Sequence, residues 1–293
     1  MAPVLEIKNL RKRFGDFILN DINLTLDRGF IMGFIGLNGS GKSTTIKLIL
    51  NLINRDGGCI EIFGKDNLKH ELEVKNKIGF VLDESHFYEE VTISEMKRII
   101  SPLYNEWDED AFKKYIKEFD LPLNKKIKAL SKGMKMKFSL AVALSHHAEL
   151  LIMDEPTSGL DPVVRSELLD ILADLMQNEN MAIFFSTHIT SDLDKIADYI
   201  TFLNEGQIVL STTKDDILDK YGVVKGPKGL ISKKDIDKFV GTRVNQFGFE
   251  ALVNNKDEIR KVYKDSVVIE KPTLEDIMVF YTRPTVICQD LKV

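Results

Sequence analysis

The sequence predicts an α/β chain in which a parallel core sheet carries an antiparallel β subdomain, an inserted helical subdomain and a small C-terminal α+β accessory region. Three observations predict it. Five short apolar runs, 30–35 (FIMGFI), 78–82 (IGFVL), 149–153 (ELLIM), 181–185 (MAIFF) and 199–203 (YITFL), suit strands buried on both faces, and the helical patterns between them imply βαβ units. Near the start, Ile22, Leu24 and Leu26 alternate with Asn23, Thr25 and Asp27, as half-exposed antiparallel strands do. Between about 88 and 147 the periodicity turns helical.

In chain order, the alternating segment forms a small β-rich flap, and run 30–35 starts the core sheet ahead of a helical stretch over 44–53. Within 88–147, Thr92 and Glu95 have capping-box spacing, and Asp108, Glu109 and Asp110 place acids at a helix start. Asn204, Glu205 and Gly206 read as a turn between 199–203 and 207–211, so the core domain spans 1–222. Gly226, Pro227 and Gly229 then punctuate a boundary, and 223–293 is the accessory region.

Composition narrows the function. With 44% hydrophobic and 29% charged residues, the chain can bury a substantial core without metals or disulfides. Its two cysteines, Cys59 and Cys288, match no paired or metal-ligand spacing, which fits a reducing compartment. The opening MAPVLEIKNLRKRF lacks the apolar stretch of a signal peptide, and no segment reaches the roughly 18 uninterrupted apolar residues of a membrane helix. Forty Lys and Arg against 45 Asp and Glu, a net charge of −5, argue against a broad nucleic-acid surface.

Residues 36–44, GLNGSGKST, match the P-loop pattern between an apolar strand and a helix, the context that the motif requires. Gly36, Asn38, Gly39, Ser40 and Gly41 would turn successive backbone N–H groups onto phosphate oxygens, aided by the positive end of the following helix. Lys42 would reach the β- and γ-phosphates, with Thr44 opening the helix behind it. The Ser43 hydroxyl is the hard oxygen ligand that Mg²⁺ takes. Nucleotide binding is the inference these residues carry.

Run 149–153 ends in Asp154 and Glu155, where open α/β sheets place their ligands. Asp154 would hold Mg²⁺ through water, and Glu155 would polarise an attacking water as general base. His188 follows run 181–185 in the same way and would emerge at the same sheet edge.

With these residues in place, positions 4–222 resemble the nucleotide-binding subunit of ABC transporters. The decisive addition is Leu130, Ser131, Lys132, Gly133 and Met134, which looks like the family signature and lies in the helical subdomain. The resemblance implies that two such domains meet head to tail, as a homodimer or a paralogous heterodimer, so that Ser131 and Gly133 of one cover the ATP of the other. It also implies coupling through Asp161 in SGLD, γ-phosphate contact by His188, and stacking of adenine on Phe14, although Phe17 is nearby. Glu155, His188 and Lys42 become the catalytic set. ATP and Mg²⁺ are the implied ligands, with Asp83 joining Ser43 and Asp154 at the metal.

Two positions depart from the family pattern. Asp83 replaces the Q-loop glutamine, and a shorter carboxylate cannot donate the same hydrogen bond, so either Glu84 compensates or coupling is altered. Lys132 occupies the signature's second glycine position and adds a cation. His86, Phe87 and Tyr88 would lie where the family docks its membrane subunit, with local packing as the other reading. Residues 272–277, PTLEDI, resemble the closing motif of ABC-2-type exporter ATPases, while the near-neutral 226–293 is no nucleic-acid tail. The expectation is therefore a Mg²⁺-dependent ATPase at the cytoplasmic membrane face, driving a separate permease that exports a peptide, antimicrobial or lipid-like cargo. The rival expectation is a non-transport ABC ATPase acting on ribosomes or nucleic acid.

Overall fold

The computed structural model describes residues 2–82, 87–230, 238–282 and 285–286. The chain opens with an antiparallel pair, β1 (Leu5–Phe14) and β2 (Phe17–Leu26). Ile22, Leu24 and Leu26 are buried as their alternation demands. Leu19 joins them because Asp21, at φ 56°, inserts a bulge: Leu19 and Ile22 of β2 face Lys12 and Leu10 of β1.

Next come β3 (Ile31–Ile35), α1 (Lys42–Ile49), β4 (Gly57–Ile62), β5 (Lys65–Asp66), α2 (Glu71–Lys75) and β6 (Ile78–Val81). Helix α1 starts two residues before the predicted helical stretch and stops short of residue 53. Asn51 takes φ 54° there, while the N–H groups of Asn51 and Leu52 bond back to the carbonyls of Leu48 and Lys47. That is a Schellman stop built on asparagine, a residue that tolerates the left-handed region.

The helical subdomain follows as α3 (Ile93–Ile100), α4 (Glu109–Glu118) and α5 (Lys132–Leu144). Each has a side-chain cap: Thr92 in a reciprocal box with Glu95, Asp108 on the N–H groups of Asp110 and Ala111, and Ser131 on that of Met134. The core resumes with β7 (Leu150–Asp154), α6 (Pro162–Leu175), β8 (Ala182–Thr187), α7 (Thr190–Ile196), β9 (Tyr199–Asn204) and β10 (Gln207–Thr213).

All five apolar runs are strands of one sheet, ordered β10-β9-β3-β8-β7-β6, parallel except for the edge strand β10. Their unbroken hydrophobicity has a direct cause. Leu150, Ile152, Ala182 and Phe184 feed the core shared with α1 and the antiparallel sheet β2-β1-β4-β5, whereas Leu151, Met153, Ile183 and Phe185 feed the core on the helical side.

The remainder comprises α8 (Lys214–Lys220), β11 (Gly222–Gly226), β12 (Gly241–Val244), β13 (Phe249–Val253), α9 (Lys256–Tyr263), β14 (Val268–Glu270), α10 (Leu274–Thr282) and β15 (Thr285–Val286). A third sheet, β14-β11-β13-β12-β15, begins at Gly222, ahead of the glycine punctuation read from the sequence. Gly226 is a packing position rather than a linker, since a Cβ there would meet the Phe249 ring at 2.7 Å. On α10, Leu274, Ile277 and Phe280 are buried in the main helical-side core beside Leu193 of α7 and Phe202 of β9. Among the described residues no helix is long and apolar enough to cross a membrane.

Candidate functional site

The site forms where β3, β7 and β8 end. After Ile35 the chain passes through Gly36–Gly41 into α1, with Gly39 at φ 82° and Gly41 at φ 112°, conformations that glycine alone adopts cheaply. Gly36 has no room for a side chain: a Cβ would lie 2.4 Å from the Leu203 carbonyl oxygen and 2.5 Å from Ser40 Oγ. Helix α1 has no side-chain N-cap and no acid in its first turn. Its leading N–H groups and dipole therefore face the cavity with no carboxylate of their own first turn to neutralise them, as an anion site requires.

Lys42, buried at 5% exposure, folds back so that Nζ donates to the carbonyls of Gly36 (2.8 Å) and Leu37 (3.4 Å) and lies 3.2 Å from Glu155 Oε1. These oxygens hold the ammonium where an incoming phosphate oxygen could replace the carboxylate. Asp154 ends β7, buried, and accepts a 2.6 Å hydrogen bond from Ser186 Oγ of β8. Glu155 follows in the left-handed region at φ 49°, its own N–H donating to the Ser186 carbonyl at 3.0 Å. For a glutamate this conformation costs on the order of 1–3 kcal/mol, and its effect is to turn the carboxylate toward the loop. His188 completes the cluster: its backbone N–H donates to Glu155 Oε2 at 3.2 Å, and ring Nδ1 lies 2.7 Å from the same oxygen.

A cavity of about 390 Å³ is walled by Asn38, Gly39, Gly41, Lys42, Ser43, Thr44, Glu155 and His188, all singled out in the sequence, and by Phe17 and Ser158. Gly36 and Ser40 lie in the loop beneath it, with Ser40 Oγ buried and without a hydrogen-bond partner. Phe14 sits across the β1/β2 hairpin from Phe17, half-exposed, with Lys12 Nζ 5.2 Å from its ring centre. Phe17 on the cavity wall was legible only as the neighbour of Phe14, and Ser158 carried no separate signal.

The structure does not bring Ser131, Gly133 or Asp161 to this cavity. Ser131 is exposed at the start of α5. Gly133 is packed so closely on α6 that a Cβ would meet Val164 at 2.6 Å. Asp161 caps α6 through the N–H groups of Val163 and Val164, at 3.1 Å each. Asp83, Glu84 and His86 lie outside the described residues. Phe87 is part of the core edge, 4.7 Å from the Phe138 ring, whereas Tyr88 beside it is 66% exposed.

The donor set fits a nucleoside triphosphate: a glycine cradle, an uncapped helix N-terminus and a buried lysine for the phosphates. Ser43 and Asp154 supply hard oxygens of the kind Mg²⁺ prefers. Beside the phosphates, Glu155 and His188 supply acid–base groups.

A second hollow, of about 210 Å³, lies between β6, α3 and α5. Phe80, Leu82, Phe87, Met96, Leu103 and Tyr104 line it. At its floor His146 stacks on Tyr104 at 3.8 Å and touches the carbonyls of Val142 and Ile78, 3.0 Å each. Burial pushes the His146 pKa down, an effect that the two carbonyls partly oppose.

Comparison with known proteins agrees with this arrangement. The family described as ABC transporter matches residues 19–158. The chain is 33% identical over 212 residues to the bacitracin transport ATP-binding protein of Bacillus licheniformis, covering 71% of this chain and 69% of that one. It is 33% identical over 215 residues to the lantibiotic transport ATP-binding protein of Streptococcus pyogenes, covering 72% and 92%. Among solved structures, an ATP-binding subunit of an ABC transporter superposes with a TM-score of 0.67 at 30% identity, covering 74% and 92%. A dimeric, post-hydrolysis ATP-binding cassette with ADP and phosphate bound superposes at 0.64 and 22% identity, covering 71% and 98%.

Proposed function

The chain belongs to the ABC transporter family and is an ATP-binding, ATP-hydrolysing subunit, and we propose that it powers a separate membrane-spanning permease as one half of an ATP-closed pair. The observation that carries this reading is Glu155 held between Lys42 and His188 at the mouth of an uncapped, glycine-lined helix start.

Phosphates bind in the 36–44 loop, and Lys42 passes from Glu155 to the phosphate oxygens. Glu155, freed of that partner, takes a proton from the attacking water, and His188 keeps the carboxylate aimed and contacts the γ-phosphate. Ser43 and Asp154, with Asp83 as the third candidate, would hold Mg²⁺, and the ion would supply neutralising charge to the phosphates. Phe14 stacks on the adenine.

Because Ser131 and Gly133 lie away from their own chain's cavity, they serve the ATP of a second copy or paralogue, and Asp161 couples the two sites. The apolar hollow beside β6 receives a short helix of the permease, which places the chain at the cytoplasmic membrane face. Phe80, Leu103 and Tyr88 are 47%, 71% and 66% exposed at and beside its rim, and large exposed apolar groups are typical of interface cores. Since the matched relatives transport bacitracin and a lantibiotic, the proposed cargo is a peptide antimicrobial moving outward.

ATP hydrolysis measured across a protein-concentration series tests the pair. Rate per molecule should rise with concentration and collapse in Ser131→Arg, which still binds nucleotide. A rate per molecule independent of concentration and of Ser131 refutes the shared site. Co-purification with a polytopic membrane protein, lost in Phe80→Asp, tests the permease.

A further inference from the structure

Asp192 of α7 is a charged side chain with 1% exposure, outside the nucleotide cavity. Both carboxylate oxygens are engaged. Oδ1 accepts from Arg165 Nε of α6 at 2.5 Å, and Oδ2 accepts from Thr157 Oγ1 at 2.6 Å. A second guanidinium nitrogen of Arg165 donates to Ser191 Oγ at 2.7 Å.

The positions of these partners give the contact its meaning. Thr157, itself 1% exposed, lies two residues after Glu155, and Asp192 lies four residues after His188. Arg165 stands one turn into α6, its N–H bonded to the Asp161 carbonyl at 2.9 Å. The segments leaving β7 and β8 thus each carry one partner of the Glu155–His188 contact and are joined again behind it by one carboxylate. An ion pair meant only to fasten α6 to α7 needs Arg165 alone, and Lys195 already links those helices to Asp170 at 2.7 Å. The second oxygen is spent on the Glu155 loop itself. Glu155 also needs such support, because its left-handed backbone persists only where surroundings fix it. On the other side Leu193 seats α7 against β3, where a Cβ at Gly33 would meet Leu193 Cδ1 at 2.6 Å.

We propose that Asp192 is a positioning residue for hydrolysis, a buried staple that keeps the Glu155 loop and the His188 segment in register through Thr157 and Arg165. Groups that orient reacting side chains in this way typically change turnover rather than binding. The proposal rests on the hydrolytic role given to Glu155 and His188 above.

The test uses the full chain with Thr157→Val, Asp192→Asn and Thr157→Ser, reading steady-state ATPase, nucleotide affinity and amide hydrogen exchange without nucleotide. Thr157→Val and Asp192→Asn should lower kcat by about 20-fold or more with KM within about threefold, while Thr157→Ser, which keeps the hydroxyl, stays near wild type. In the same two variants the His188 amide should exchange about tenfold faster, with β3 and β9 amides unchanged. Unaltered exchange at His188 overturns the staple, as does a kcat loss matched by weaker binding and faster exchange throughout. If wild type hydrolyses no ATP, the reading of the site fails by itself, and the exchange experiment on nucleotide-free protein still decides the staple.

Discussion

Replacing Glu155 by glutamine removes one proton acceptor and one charge while keeping the shape, so its two effects can be computed separately. The amide oxygen can still accept from the His188 N–H, which preserves the local geometry. It cannot take a proton from water, and the loss of a positioned general base costs about 10²–10⁴ in rate, or roughly 2.7–5.4 kcal/mol of barrier. The second effect runs the other way. With Lys42 Nζ 3.2 Å from the carboxylate, the gross attraction at an effective dielectric of ~20 is about 5 kcal/mol, much of it offset by desolvation of the buried Lys42 and the partly buried Glu155. Glutamine releases that ammonium to the phosphates and removes an anion beside them, so ATP should bind several-fold more tightly. Single-turnover hydrolysis and a fluorescent-nucleotide titration on the same preparation read the two effects. A variant that turned over within about threefold of wild type would refute the general-base assignment. Weaker ATP binding would refute the view that Glu155 restrains Lys42.

Gly36→Ala forces a methyl against the Leu203 carbonyl and Ser40, so it should lower stability by about 1–3 kcal/mol and weaken nucleotide binding further; thermal unfolding with and without ATP separates the two. His146 is held neutral by burial, so the unfolded chain binds the extra proton as pH falls. Its stabilising contribution is therefore complete above the unfolded value of 6.5 and lost as pH drops below it, and His146→Gln should flatten that part of the stability–pH curve in urea melts.

Much of the site was legible because its chemistry depends on residues close together in sequence. The cradle of 36–44 and the acid pair 154–155 are short motifs, and strand burial on both faces is written in unbroken apolar runs. The helix starts at Thr92 and Asp108 are equally local, since a cap and its N–H partner sit within a few residues, whereas Ser131 showed its capping role only in the fold. Asn51 shows the limit: an asparagine is an acceptable helix residue, and only the backbone bonds to Leu48 and Lys47 reveal it as a stop.

By itself, then, the sequence determined the fold class, the phosphate loop, the carboxylates and the histidine, because each follows from spacing along one element. The folded chain decided what depends on distance through space. It turned Phe17 into the cavity wall and drew Lys42 onto Glu155 from over a hundred residues away. It also brought Thr157, Arg165 and Asp192 together behind the site, a contact between three loops and helices whose separate sequences hold no trace of it. Pairing of this kind is fixed by how helices pack on a twisted sheet, and no local pattern encodes which side chains that packing will face toward one another.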